Sequence, residues 1–249
     1  MQTNQVKQLN FSGAYIDAKY VENVENYFIH NGTIAINPQN SDAYLKEAHT
    51  SIIPAFSSTI LKDTIIKEAE SLLLLEVVET NNIGKIIFEQ NWGLLGNLID
   101  NFPKDIPLWR SPQVEAGIVE VDPYLMTRQL SKPLQKEKFC VKVNLWFAPS
   151  HTDCAIHNQH DFIEIHTQVF GQGRMQKFKE DDFGTLYEDV LMSPGYTTSL
   201  PFCQVCDTLS VMPSAYRQQY NYPWHQYYSD TDCIWMAIEY HPVKPLRCD

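Results

Sequence analysis

The chain has 249 residues, 44% of them apolar and 20% charged, which is enough to bury a large core as one domain or two small ones. Thirty acidic residues against 19 basic ones leave a formal net charge of -11. That balance argues against a nucleic-acid partner, which needs clustered Lys and Arg, and weakly against an anionic membrane surface.

No apolar run approaches the length of a membrane helix. The opening MQTNQVKQLNFSG lacks the apolar core of a signal peptide, so a cytoplasmic protein is expected. Six cysteines are too few for a disulfide scaffold at this length, and free thiols are expected.

In chain order, Asn31-Gly32 signals a turn before a short strand, Thr33 to Ile36. Ser41 is placed to cap a helix starting at Asp42. Asp63 to Glu79 reads as the clearest helix. Ile66, Ala69, Leu73 and Val77 recur at helical spacing, and Leu72, Leu74 and Leu75 broaden the stripe. After a linker at Asn81–Gly84, Ile86 to Phe102 reads as a second helix, with Gly93 and Gly96 allowing close approach to a neighbour. Residues 1–104 are therefore expected to form a largely helical extension, packed on a β domain of residues 105–249.

Pro103, Pro107, Pro112 and Pro123 interrupt any helix, and Val114 to Val121 reads as a strand. Phe139, Val141, Val143, Leu145 and Phe147 alternate cleanly, as on a strand. Further strands are expected at Arg174 to Phe178, Tyr187 to Met192 and Cys233 to Tyr240. Short strands joined by Gly-rich turns point to a barrel or jelly roll.

The chemistry concentrates in Ala148 to Gly173, which holds His151, His157, His160 and His166, four of the eight histidines. Here Ile163, Ile165, Thr167 and Val169 share one face of a strand, and Phe162, Glu164, His166 and Gln168 share the other. A face of carboxylate, imidazole and amide fits a polar cavity better than a sealed core. Cys203-Gln-Val-Cys206 has redox or half-zinc spacing but no second pair, and is expected to be dispensable. Tyr216, Arg217, Tyr220, Tyr222, Trp224, Tyr227 and Tyr228 form an aromatic run that serves packing or a substrate pocket. Arg217 is available there to pair a carboxylate.

This region resembles the first motif of the cupin superfamily. Glu164 is followed by six residues and then Gly171, and His160 lies four before Glu164. Where the family places a second histidine this chain has Asn158, with His157 adjacent. Pro194-Gly195 resembles the turn of the second motif, but no histidine follows until His225. Residues 196–222 then read as an insertion. The resemblance implies a mainly β fold, an antiparallel double-stranded β-helix (a cupin jelly-roll barrel) carrying the N-terminal helical subdomain. It implies a divalent transition metal held by His157, His160, Glu164 and His225, with Fe(II) first and Mn, Ni or Zn as alternatives. His166, Tyr227 and Arg217 are the candidate catalytic residues, and a homodimer is implied on family grounds only. The leading functional expectation is an Fe(II) oxygenase acting on a small organic or amino-acid-like substrate. A metal-dependent lyase or isomerase using a histidine or tyrosine acid/base, and a non-catalytic ligand-binding protein, are the alternatives.

Overall fold

A computed structural model describes residues 2–49, 51–100, 102–130, 135–198, 203–206 and 220–243. The N-terminal part is a sheet, not a helical layer. It holds β1 (Gln5–Gln8), β2 (Ile16–Ile29), β3 (Thr33–Asn37), β4 (Ala43–Leu45), β5 (Ile52–Ile53), β6 (Ser57–Leu61) and β7 (Thr64–Val77). The segment read as the clearest helix is thus the 14-residue strand β7, paired with β2 and β3. Leu73 and Leu75 face one core, while Leu72 and Leu74 face another with Val21, Ile53 and Ile66. A strand covered on both faces loses its alternation and reads as a continuous apolar run, as a broad helical stripe also does.

The second expected helix is also corrected. Ile83–Phe88 is a 3-10 turn, followed by β8 (Gly93–Leu94) and one α turn, α1 (Leu95–Leu98). There Gly96 lies against the backbone of Pro103 and Lys104, where an added Cβ would approach to 2.7 Å.

Next come β9 (Trp109–Arg110), β10 (Val114–Val121), a helical turn α2 (Pro123–Met126) and β11 (Glu137–Ala148). Asp122 caps α2 by accepting from the backbone N–H groups of Tyr124 and Leu125. The rest is β12 (Thr152–Asp153), β13 (Ile163–Phe170), β14 (Gly173–Phe178), β15 (Leu186–Met192), β16 (Gln204–Val205), β17 (Tyr220–Asn221), β18 (Trp224–Ser229) and β19 (Cys233–Pro242). A middle sheet runs β13-β19-β11-β9-β8 with β10 also on β11, and a third sheet runs β12-β18-β14-β15.

β19 shows how the layers stack. Its even-numbered side chains turn to the N-terminal sheet: the Tyr240 hydroxyl donates to Pro38 O, and its ring lies 6.1 Å from that of Phe56. Its odd-numbered side chains turn to the third sheet, where Trp235 stacks on Tyr227 at 3.7 Å. In register with them, Ile163 and Ile165 face the first layer while Glu164, His166 and Gln168 face the third. Among the described residues every sheet is open, so the expected closed barrel is not formed. Alternation reports which residues share a face; closure depends on whether the outermost edges meet, and here the sheets pair within themselves. The other edge of β13 meets residues 195–198, through a Thr167–Thr197 bridge, and the Tyr222 hydroxyl. No described helix is long and apolar enough to cross a membrane.

Gly171 sits at φ +71, and an added Cβ would lie 2.0 Å from Asp232 O. Gly171→Ala should cost about 2 kcal/mol or more, from left-handed backbone and a clash with a carbonyl that cannot swing away. Urea denaturation measures this, and a loss under half that size would show that the turn between β13 and β14 yields.

Candidate metal centre

Glu164 and His166 come from the polar face of β13, and His160 from the segment leading into it. His225 lies in β18, the central strand of the third sheet, beside Lys177 of β14. His157 pairs with His225 through two backbone hydrogen bonds of 2.9 Å. Two facing layers therefore bring together residues far apart in the chain.

The ligand atoms of His157, His160, Glu164 and His225 all lie within 4.8 Å of one another. His160 Nε2 is 3.2 Å from His225 Nε2 and 3.3 Å from Glu164 Oε1, and His225 Nε2 is 3.7 Å from the same oxygen. Two atoms bound to one ion at roughly 2.0–2.2 Å stand about 3–4 Å apart, so these spacings suit a shared cation. The rings are oriented as ligands need to be. His157 Nδ1 donates to Ala155 O at 3.0 Å and His225 Nδ1 donates to Pro223 O at 2.9 Å. A carbonyl only accepts, so both protons sit on Nδ1 and both Nε2 lone pairs are left for a metal. Ala155 holds its carbonyl there from a φ of +71, a conformation costly for a residue with a Cβ. Four nitrogen and oxygen donors of this kind fit a divalent transition metal.

Glu164 is almost fully buried. Burial alone would raise its carboxyl, but the neighbouring His160, His166 and His225 imidazoles outweigh this and hold it below the usual carboxylate range. Desolvation pushes His160 and His166 down, against the pull of Glu164. His157 keeps exposed surface at the rim. Its ring stands 4.3 Å from that of His225 and 5.0 Å from that of His160. Desolvation of the ring and these two neighbours hold it down.

A pH dependence follows. In the unfolded chain histidines protonate near pH 6.5, whereas His160 and His166 in the fold do so only at lower pH. Below about pH 6.5 the unfolded state therefore binds more protons and the fold loses stability. Metal-free protein should melt at progressively lower temperature as pH drops from 7 to 5. A His160→Gln/His166→Gln variant should show a shallower slope, and an unchanged slope would rule these two residues out as its origin.

His166 Nε2 stands 3.6 Å from Glu164 Oε2, on the carboxylate's other side from His160 and His225. Tyr227 is buried, and its hydroxyl donates to Gln168 Oε1. Arg217 lies outside the described residues, as does most of the expected insertion. Cys203 is buried, Cys206 half-buried, and both are free thiols.

Two groups at the site are not singled out by the sequence: Tyr222 reads only as one of the aromatic run, and Glu239 only as a residue of the last strand. The Tyr222 hydroxyl accepts from Glu164 N at 3.0 Å and donates to Phe162 O at 2.9 Å, with its ring 4.6 Å from that of His160. Its place three residues before His225 was the available signal. Glu239 is the cross-strand partner of Glu164, and its Oε2 contacts His241 Nε2 at 2.7 Å and accepts from Gln113 at 2.8 Å. Only strand register brings it there.

No family model matches the chain, and no curated protein matches it. Solved structures match loosely. A DMSP lyase structure (RdDddP and RnDddQII) is 14% identical over 44% of this chain and 42% of that one, less than half its length, at a TM-score of 0.25. The oxalate decarboxylase–formate complex of Lactobacillus farciminis is 9% identical over 98% of this chain and 83% of that one, at 0.29. AerE from Microcystis aeruginosa is 8% identical over 95% and 97%, at 0.28. Scores this low do not place the chain in a family. The activities named among them are those of lyases and a decarboxylase; the oxidoreductase or dioxygenase expected from the sequence is not among them and is not carried further. Nor does the donor set call for redox chemistry, since imidazole and carboxylate hold Zn(II) or Mn(II) as readily as iron. What the fold and site define is a layered β protein with a group of three imidazoles and one carboxylate, buried at Glu164 and His225 and open at His157.

Proposed function

We propose that the protein is a metal-dependent enzyme of the lyase or isomerase kind, acting on a small organic substrate. The observation that supports it most is the convergence of His160 Nε2, His225 Nε2 and Glu164 Oε1 within 3.2–3.7 Å, with the Nδ1 of His225 tied to a carbonyl. This is the donor set of the cupin superfamily that the sequence resembles. His157, His160, Glu164 and His225 hold a divalent ion, with Mn, Fe(II), Ni and Zn the candidates. Such an ion supplies Lewis acidity to a substrate oxygen.

The chain's own groups do the rest. Glu164 lowers the charge of the site and is fixed by the Tyr222 hydroxyl on its backbone N–H. His166, beside Glu164 but outside the four-donor group, moves a proton at Nε2. Tyr227 orients Gln168 on the same polar face and, stacked on Trp235, helps to exclude water. Arg217 is kept as a candidate for substrate binding on its chemistry alone.

The test is turnover of small organic acids and alcohols by the metal-loaded protein in D2O, under argon and in air, followed by proton NMR. Deuterium incorporation or elimination at equal rates in both atmospheres is expected. A strict requirement for oxygen would overturn the reading. His166→Ala should lower the rate by about 100-fold or more while leaving metal content unchanged, as loss of a proton-transferring group does.

A further inference from the structure

We infer that Arg110 and Asn144 form a carboxylate-binding subsite on the polar face of the middle sheet, next to the candidate metal centre. This deepens the proposed function and rests on that reading for its place in a reaction.

The register places the parts. On neighbouring strands, His166, Ala237 and Asn144 stand in one row; Gln168, Trp235, Trp146 and Arg110 stand in the next. All of these side chains project toward the third sheet, as the stacking of Trp146 on Trp235 and of Trp235 on Tyr227 shows. Ala237, with only a methyl group, separates His166 from Asn144, so the row dips between two polar side chains.

Both donors are left without acceptors. Asn144 is fully buried, at 0% exposure. Its Oδ1 accepts from Trp146 Nε1 at 2.9 Å. An indole N–H only donates, so the amide orientation is settled and Nδ2 points away from that bond. Nδ2 meets no acceptor among the described residues. Arg110 Nε is likewise buried without a partner, and the guanidinium lies over the Trp146 ring with Cζ 5.7 Å from its centroid. Glu239 is close enough to act on Arg110 electrostatically, but its Oε2 is engaged by Gln113 and His241. A buried amide N–H and a buried guanidinium N–H, each without an acceptor, are costly unless a ligand supplies oxygen. Both groups are pure donors and one is cationic, so the matching ligand is an anion with two acceptor oxygens. The subsite selects small carboxylic acids and sets the acid group on the Arg110 side, with the reacting carbon toward His166.

The probe is propanoate, with propanamide as its neutral isostere, titrated into the full chain as purified and again after chelation. Tryptophan fluorescence, reporting on Trp146 and Trp235, and calorimetry read the binding. Propanoate should bind in both preparations, and propanamide at least about ten-fold more weakly. Arg110→Gln and Asn144→Leu should each weaken propanoate binding about ten-fold or more while metal content stays unchanged. Arg110→Lys, which keeps the charge but loses the fork, should fall between; it replaces Arg110→Gln if that variant does not fold. Equal binding of acid and amide, no binding of either, or an affinity indifferent to both substitutions would overturn the subsite. The two readings fail separately: protein that takes up no metal but still discriminates propanoate through Arg110 loses the enzyme reading alone. Protein that binds metal without this discrimination loses the subsite alone.

Discussion

His160→Ala is expected to lower metal affinity by about 100-fold or more, because losing a direct ligand exceeds the 10–100-fold cost of losing a group that merely orients one. Wild-type protein, purified without chelator or loaded anaerobically with Mn(II), Fe(II), Ni(II) or Zn(II), should carry about one ion per chain by elemental analysis. His160 is the sharpest choice because its Nε2 lies 3.2 Å from His225 Nε2 and 3.3 Å from Glu164 Oε1, between two other donors. Glu164→Gln keeps an oxygen and the shape but removes the charge, and should weaken binding less than His160→Ala weakens it. His166→Ala should leave occupancy intact, since that ring faces the far oxygen of Glu164 and is not one of the four converging donors. Wild-type protein that binds none of these ions would remove the metal from the proposal and leave a cluster of imidazoles around one carboxylate.

The second large effect lies in the N-terminal sheet. Leu72→Ala and Leu73→Ala should each destabilise the protein by about 2–5 kcal/mol, the usual range for deleting a fully buried leucine. Both side chains are at 0% exposure, but they belong to different cores: Leu73 packs between the first and middle sheets, and Leu72 on the outer face with Ile53 and Ile66. Lys67→Ala on the same strand, an exposed position, should stay within about 0.5 kcal/mol. Urea titration of the three variants decides the matter. If one leucine is costly and its neighbour nearly free, the two-faced burial of β7 is wrong and the one-sided stripe read from the sequence returns.

These two regions mark where sequence patterning informs and where it misleads. In β13 the two faces differ in chemistry, so alternation of Ile163 and Ile165 with Glu164 and His166 is readable residue by residue. In β7 both faces are apolar, and the information that separates strand from helix is absent from the pattern itself. The same limit applies to closure: β11, β13 and β19 were legible as strands, but nothing in them records whether their sheet ends in open edges or meets itself.

The site divides along the same line. His160 and Glu164 are local to one strand and its approach, so their spacing was visible in the chain. His157 was named as the ligand beside Asn158, but the bridge to His225 that sets it there, about seventy residues later in the chain, was not visible. Tyr222 stood out only as one of an aromatic run, and Glu239, Arg110 and Asn144 carried no motif at all. By itself the sequence determined a β-rich C-terminal half, a strand with one polar face, and a histidine–glutamate cluster next to it, since each follows from side-chain period along a few consecutive residues. Only the tertiary structure decided the three open layers, the β character of the N-terminal part and the partners gathered on the polar face. Those depend on cross-strand register and on what covers each sheet, which are properties of pairs of distant segments and leave no trace in either segment alone.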